Sequence, residues 1–203
     1  MAATPKTRTR ESRERSRQRI IEAATELVRE RSYAELNVGE IMERAGIGRT
    51  IFYRHFDDLG DLLLRAGREA IDELLTAQLA LAQTRVATGP EDIRRAIELP
   101  VLVYSRHGPL LRAVAEAAAA DPGLTPEQAA IRRRFDELVA DALHRSDAGG
   151  NGGFADVMET AHALNLLNES YLLEAFGGEQ RVSTESAVST LTEIWAAVLD
   201  SRG

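Results

Sequence analysis

Twenty residues near the front of the chain, Asn37 to Phe56 (NVGEIMERAGIGRTIFYRHF), constrain its fold more than any other stretch. Asn37 has the type and position of an N-cap, and Glu40 stands three residues on as its capping-box partner. A short helix follows, Val38 to about Ala45, and Ala45-Gly46-Ile47-Gly48 breaks it. Two glycines allow a tight turn and the positive φ such a turn demands. A second short helix then runs from Arg49 to about His55. Val38, Ile41, Met42, Ala45, Ile47, Ile51 and Phe52 supply a small core that clamps the pair together. Arg49, Thr50, Tyr53 and Arg54 remain on the outer side. A plain amphipathic hairpin would use the aromatics as core alone. A helix presented after a tight turn, with arginines at its start, also fits the DNA major groove.

Charge supports the second reading. The net formal charge of −7 argues against a polyanionic partner only as an average. Residues 1–56 carry 12 Lys and Arg against 8 Asp and Glu, while the remainder carries 13 against 24. A basic front end and an acidic body indicate that the front alone meets nucleic acid. Arginine takes guanine bidentately, and threonine offers a hydroxyl or a methyl contact. Tyr53 and the Asn37 cap suit phosphate oxygens, and Gly48 and His55 complete the candidate DNA-binding residues. The arginine-rich arm before Ser16 adds attraction that salt would screen.

Helix signals recur along the rest of the chain and strand signals do not. The first helix is expected from about Ser12 to Arg31, with Ile20, Ala24, Leu27 and Val28 as its apolar stripe. Asp57 or Asp58 caps a long fourth helix reaching about Gln83, in which Gly67 reads as a packing glycine. Pro90 opens the next segment, read as two helices ending before Asp121-Pro122-Gly123. Thr125-Pro126 opens the seventh helix. DAGGNGGF, from Asp147 to Phe154, reads as a flexible connection, and helices of about Phe154–Phe176 and Ser183–Leu199 finish the chain. The expectation is an all-α protein of about nine helices. A three-helix helix-turn-helix domain over residues 1–56 precedes a helical ligand-binding and dimerisation bundle over 57–203.

The eighth helix carries the most information about the body. Phe154, Met158, Ala161, Asn165, Asn168, Leu172 and Phe176 fall within about 80° of one another on a helix. Two amides therefore sit on an apolar stripe, and each needs a partner, because an unpaired buried amide costs about 1–3 kcal/mol. An interhelical hydrogen bond or a bound ligand would supply one. Leu166 and Leu173 lie on another side, and Val188, Leu191, Trp195, Val198 and Leu199 form a stripe on the ninth helix. That is more apolar surface than one core needs.

The stretch LNVGEIMERAGIGRTIFYRHFDDLGDLL resembles the N-terminal DNA-binding region of the TetR family of dimeric transcriptional repressors. Ile41, Ala45-Gly46, Ile47, Tyr53, Phe56 and Leu62 stand in that family's spacing. ALNLLNESYLLEAFGGEQ, followed by Ile194-Trp195, resembles the ethionamide-repressor branch. The resemblance implies a homodimer that binds a double-stranded operator and releases it when a small ligand enters the body. It places Asn165, Asn168 and Trp195 at pocket-lining positions and Leu166, Leu173, Leu191 and Val198 in a four-helix dimer interface. Tyr104, Phe135, Leu138 and Met158 are the further lining residues available here, so an apolar ligand is expected. Three positions depart from the family pattern: Gly48 and Ile51 where Ser or Thr is common, and Leu59 in place of a lysine.

Other readings are weaker. The chain has no cysteine, which removes thiolate metal sites and cysteine nucleophiles. Glu159 and His162 have a di-iron spacing, but no second such pair exists and His162 lies about 60° off the amide stripe. No catalytic residue, metal or cofactor is expected. A helical scaffold would leave the basic arm and the glycine turn unexplained. No run of about twenty apolar residues or secretory signal is present, so no membrane partner is expected and the cytoplasm is the expected compartment.

Overall fold

The computed structural model describes residues 5–83, 90–120, 126–146 and 154–200. Among them all regular structure is helical. Eight α-helices follow in order: α1 (Pro5–Glu30), α2 (Val38–Ala45), α3 (Leu59–Ala66), α4 (Arg68–Gln83), α5 (Pro90–Ala120), α6 (Pro126–Ser146), α7 (Val157–Phe176) and α8 (Thr184–Asp200). Tyr33–Glu35 and Arg49–Arg54 form 3-10 helices. The residues of Thr88-Gly89, Asp121-Pro122-Gly123 and Thr125, and the loop over 147–153, lie outside the described residues.

The chain divides into two compact units, Met1–Arg68 with Arg112–Pro122, and Glu69–Leu111 with Gly123–Gly203. The first, the head, continues past the boundary expected after Phe56 and takes in α3. In the head α1 packs on α2 and α3, and α2 packs on the Arg49–Arg54 helix. Ile20, Ala24, Leu27 and Val28 are buried as the stripe predicts, together with Ile41, Met42, Phe52, Phe56, Leu62 and Leu63. Each large apolar side chain so buried stabilises the head by about 1.5–3 kcal/mol. The end of α5 is tied into the same unit. The Tyr33 amide donates to the Glu116 carboxylate at 2.8 Å, and Arg112 donates to the Val28 carbonyl at 3.3 Å.

Four local expectations need correction. First, α1 spans Pro5–Glu30 among the described residues, so the basic arm is helical from Pro5 on. Second, the long fourth helix is two helices. Gly67 ends α3 in an ordinary right-handed conformation, its amide donating to the Leu63 carbonyl at 2.8 Å, and α4 starts at the next residue. Third, the segment from Pro90 to Ala120 is one helix carrying Pro100 and Pro109 inside it. Burial on both sides of Pro109, through Val101, Val103, Leu110, Leu111, Ala113 and Ala117, outweighs the lost backbone bond. Fourth, of the two glycines in the turn only Gly46 takes a positive φ, at +63°; Gly48 has φ −61°.

In the second unit, the body, Ile93, Ile97 and Val101 of α5 pack with Leu172, Ala175 and Phe176 of α7 and Ala187, Val188 and Leu191 of α8. A second cluster joins Val139, Ala140 and Leu143 of α6 to Ala161 and Leu164 of α7. Gly108 lets α5 approach the end of α7 closely: a Cβ there would stand 2.1 Å from the Phe176 carbonyl oxygen.

Candidate nucleic-acid interface and the polar layer of the body

Capping chemistry sets the frame of the reading turn. Asn37 Oδ1 accepts from the Glu40 amide at 3.0 Å and fixes the start of α2. The reciprocal half of the expected capping box is absent, because Arg31 holds the Glu40 carboxylate at 2.7 Å. At the other end Gly46 and Ile47 donate to the Glu43 and Met42 carbonyls at 2.9 and 3.0 Å, closing the helix through the left-handed glycine. The next helix winds as 3-10 rather than α: Ile51 donates to Gly48 and His55 to Phe52, at 2.9 and 2.8 Å. Phe52 packs edge-on to Tyr53 at 5.2 Å and tilted to Phe56 at 5.5 Å. Phe52 and Phe56 are buried and Tyr53 is 60% exposed, so two rings hold the turn and the third is presented.

Arg49, Thr50, Tyr53 and Arg54 are all exposed on this helix, Gly48 is exposed at its start, and His55 is half-buried at its end. The arginines of the head divide by location. Arg17 pairs with Glu14 at 3.1 Å, Arg44 with Glu30 at 3.2 Å and Arg65 with Asp61 at 2.6 Å. Arg15, Arg49 and Arg54 have no ion pair among the described residues. Unpaired positive charge thus lies on the reading helix, at Arg49 and Arg54, and on neighbouring α1, at Arg15. Burial holds the His55 imidazole below its usual pKa; Arg13, Arg17 and Arg54 act in the same direction against Glu14. Sequence reasoning missed Arg13, whose guanidinium donates to the Arg54 carbonyl at 3.0 Å and ties α1 to the end of the reading helix.

A Cβ added at Gly48 would meet nothing within 4 Å, and the residue caps no amide with a side chain. Gly48→Ser is therefore expected to be accommodated and to stabilise the head by a few tenths of a kcal/mol through an N-cap bond. A thermal melt of the two proteins reads this directly, and a fall in Tm contradicts it.

In the body the two asparagines of α7 find partners. Asn165 Nδ2 donates to Asp136 Oδ1 at 2.8 Å, and Trp195 Nε1 donates to Asn168 Oδ1 at 3.1 Å. His162 Nδ1 donates to the other Asp136 oxygen at 2.9 Å, so it does face the α6–α7 seam, contrary to its angular placement on the helix wheel. Asp136 is only 8% exposed, and sequence reasoning passed over it. Its signal was available: it falls three and four residues before Val139 and Ala140, on the buried face of α6.

Tyr104 and Trp195 flank the same α5–α7–α8 core, and burial, then the neighbouring Glu169 carboxylate, push the Tyr104 hydroxyl pKa up. Leu138 is buried and Phe135 half-buried, whereas Met158 is 47% exposed and stands apart from an enclosed lining. Leu166 is exposed at 39%, and Leu173 and Val198 are half-buried. Leu191 is 1% exposed, inside the chain's own α5–α7–α8 core. No group of three or more potential metal ligands occurs among the described residues.

A helix–glycine turn–helix head with an exposed, cationic second helix, joined to an all-helical body, defines a helix-turn-helix transcriptional regulator. Residues 20–66 match the model of the bacterial regulatory proteins of the tetR family, and residues 93–199 match the C-terminal domain of the transcriptional regulator EthR. The chain belongs to the TetR family, in the branch with an EthR-type C-terminal domain. It is 28% identical over 182 residues to the HTH-type transcriptional regulator EthR of Mycolicibacterium smegmatis, covering 87% of this chain and 82% of that one. It is 27% identical over 179 residues to EthR of Mycobacterium tuberculosis, covering 87% and 83%. Among solved structures the fold matches the TetR family regulator PfmR of Thermus thermophilus, with a TM-score of 0.70 at 20% identity over 86% of this chain and 95% of that one. SmeT, the repressor of the Stenotrophomonas maltophilia multidrug efflux pump SmeDEF, matches with a TM-score of 0.65 at 21% identity over 90% and 89%. These relatives are regulators of transcription and not enzymes. No described helix is long and apolar enough to cross a membrane.

Proposed function

We propose that the protein is a homodimeric, ligand-responsive repressor in the cytoplasm, released from its operator when a small apolar ligand binds the C-terminal domain. The observation that carries this reading is the unpaired positive surface of Arg49 and Arg54 beside exposed Thr50 and Tyr53, set on a helix held by two buried rings. Arg49 and Thr50 read bases; Asn37, Tyr53, Arg54 and His55 hold the backbone, with Gly48 leaving room for it. In the body, Tyr104, Phe135, Leu138, Asn165, Asn168 and Trp195 line the ligand site, with Met158 at its rim. Asn168 and Trp195 already share a hydrogen bond that a ligand could lengthen or bridge. Leu166, Leu173 and Val198 face the two-fold mate. Two heads about 34–36 Å apart would enter successive major grooves. The ligand acts only through its different affinity for the operator-matched and unmatched states.

Fluorescence anisotropy with the protein's own upstream DNA, against scrambled competitor, tests the reading. Arg49→Ala is expected to weaken specific binding by about 10–100-fold, equivalent to about 1–3 kcal/mol, with the fold unchanged. Equal binding of wild type to scrambled DNA removes the proposal.

A further inference from the structure

Between the start of α1 and the reading helix runs a groove of about 820 Å3, lined by Ser12, Arg13, Arg15 and Ser16 on one side and by Arg54 and His55 on the other. Its walls are pinned to each other, because Arg13 donates to the Arg54 carbonyl at 3.0 Å across it. Among the described residues no carboxylate lines it. The neighbouring Glu14 is engaged by Arg17 at 3.1 Å, leaving Arg15 and Arg54 without an ion pair among the described residues. Ser12 and Arg15 lie one turn apart on the same face of α1. Ser16 spends its proton on the Ser12 carbonyl at 3.0 Å, so its hydroxyl is an acceptor here and not a donor.

We propose that this groove seats a backbone phosphate of the bound duplex, with Ser12, Arg15 and Arg54 donating to it and His55 completing the set as an imidazolium. The inference rests on the DNA-reading function and adds a contact that the helix-turn-helix motif does not itself supply. It also offers a replacement for the lysine that Leu59 displaces. The charged groups acting on His55 are Arg13, Arg17 and Glu14 from α1 and Arg54 from its own helix. In the free protein burial, and then these arginines, hold the pKa of the ring below its usual value. A phosphate in the groove cancels part of that positive field and raises the pKa of the ring in the complex. Binding then takes up a proton. Affinity rises as pH falls from about 8 towards about 6, by up to about tenfold for each unit of difference between free and bound pKa. His55 is the only histidine in the first 68 residues, so the head contains one such group.

The test uses the full-length protein and a duplex from its own upstream region, titrated at pH about 6 and about 8 and across about 0.05–0.2 M salt. Wild type is expected to bind several-fold more tightly at the lower pH. His55→Gln should abolish that difference. Arg15→Gln, at an exposed position, should lower the slope of log affinity against log salt by about one while leaving discrimination against scrambled DNA unchanged. Thermal melts confirm that both variants stay folded. Tight, specific wild-type binding with the pH dependence retained in His55→Gln, or with an unchanged salt slope in Arg15→Gln, overturns the groove alone. Wild type that fails to prefer its upstream duplex instead removes the regulator reading, and with it the duplex as the source of the phosphate. Inorganic pyrophosphate then decides between sources: movement of the His55 imidazole NMR signals on titration assigns the groove to a free phosphate, and no movement ends the proposal.

Discussion

Gly108→Ala should destabilise the body by about 3 kcal/mol or more and lower its melting temperature. The added Cβ would meet the carbonyl oxygen of Phe176 at 2.1 Å and its carbon at 2.5 Å, and both belong to backbone at the end of α7. No rotamer change relieves such a clash; α5 and α7 must separate. Separation opens the cluster of Ile93, Ile97, Val101, Leu172 and Phe176, which holds α5, α7 and α8 together. Overpacking typically costs about 1–3 kcal/mol, and an obstruction made of backbone belongs at or beyond the top of that range. Thermal melts followed by tryptophan emission report on the body through Trp195, the single tryptophan. A melt unchanged within a degree or two would show that the two helices have slack at this crossing.

The two neighbouring aromatics of the reading helix should behave as opposites. Phe52→Ala removes a fully buried ring that touches both Tyr53 and Phe56, and should cost the head about 3–5 kcal/mol. Tyr53→Phe removes only an exposed hydroxyl and should leave stability within about 0.5 kcal/mol, yet weaken DNA binding. Circular dichroism melts beside anisotropy titrations separate the two effects. Loss of DNA binding in Phe52→Ala without loss of stability would mean that this ring, too, is part of the contact surface.

Local chemistry made much of the fold legible from the sequence. Asn37 and Asp58 accept from the amides three residues on, at 3.0 and 2.8 Å, as their cap positions imply. α2 spans the eight residues its N-cap and glycine stop delimit. What escaped was decided at a distance. The segment from Pro90 to Ala120 reads as two helices, and packing on both sides of Pro109 keeps α5 continuous. Gly67 reads as a packing glycine, yet it divides α3 from α4. Helical spacing sets Asn165 and Asn168 on one apolar stripe of α7, but their partners Asp136 and Trp195 lie 29 and 27 residues away. A helix wheel describes one element and cannot name the residue opposite it. The split of the arginines into paired and unpaired sets was equally hidden, because Arg44 and Glu30 meet only after α1 and α2 pack.

The polar layer around Asp136 also bears on how such a body can diversify. One carboxylate receives His162 and Asn165 from successive turns of α7, and sliding α6 by a residue would strand a buried charge. The layer therefore works as a register key between the two helices. With alignment secured by three polar side chains, neighbouring aliphatics such as Leu138 are released from that duty and can trade size and shape. Apolar side chains can then change one at a time in such a body without altering how its helices meet.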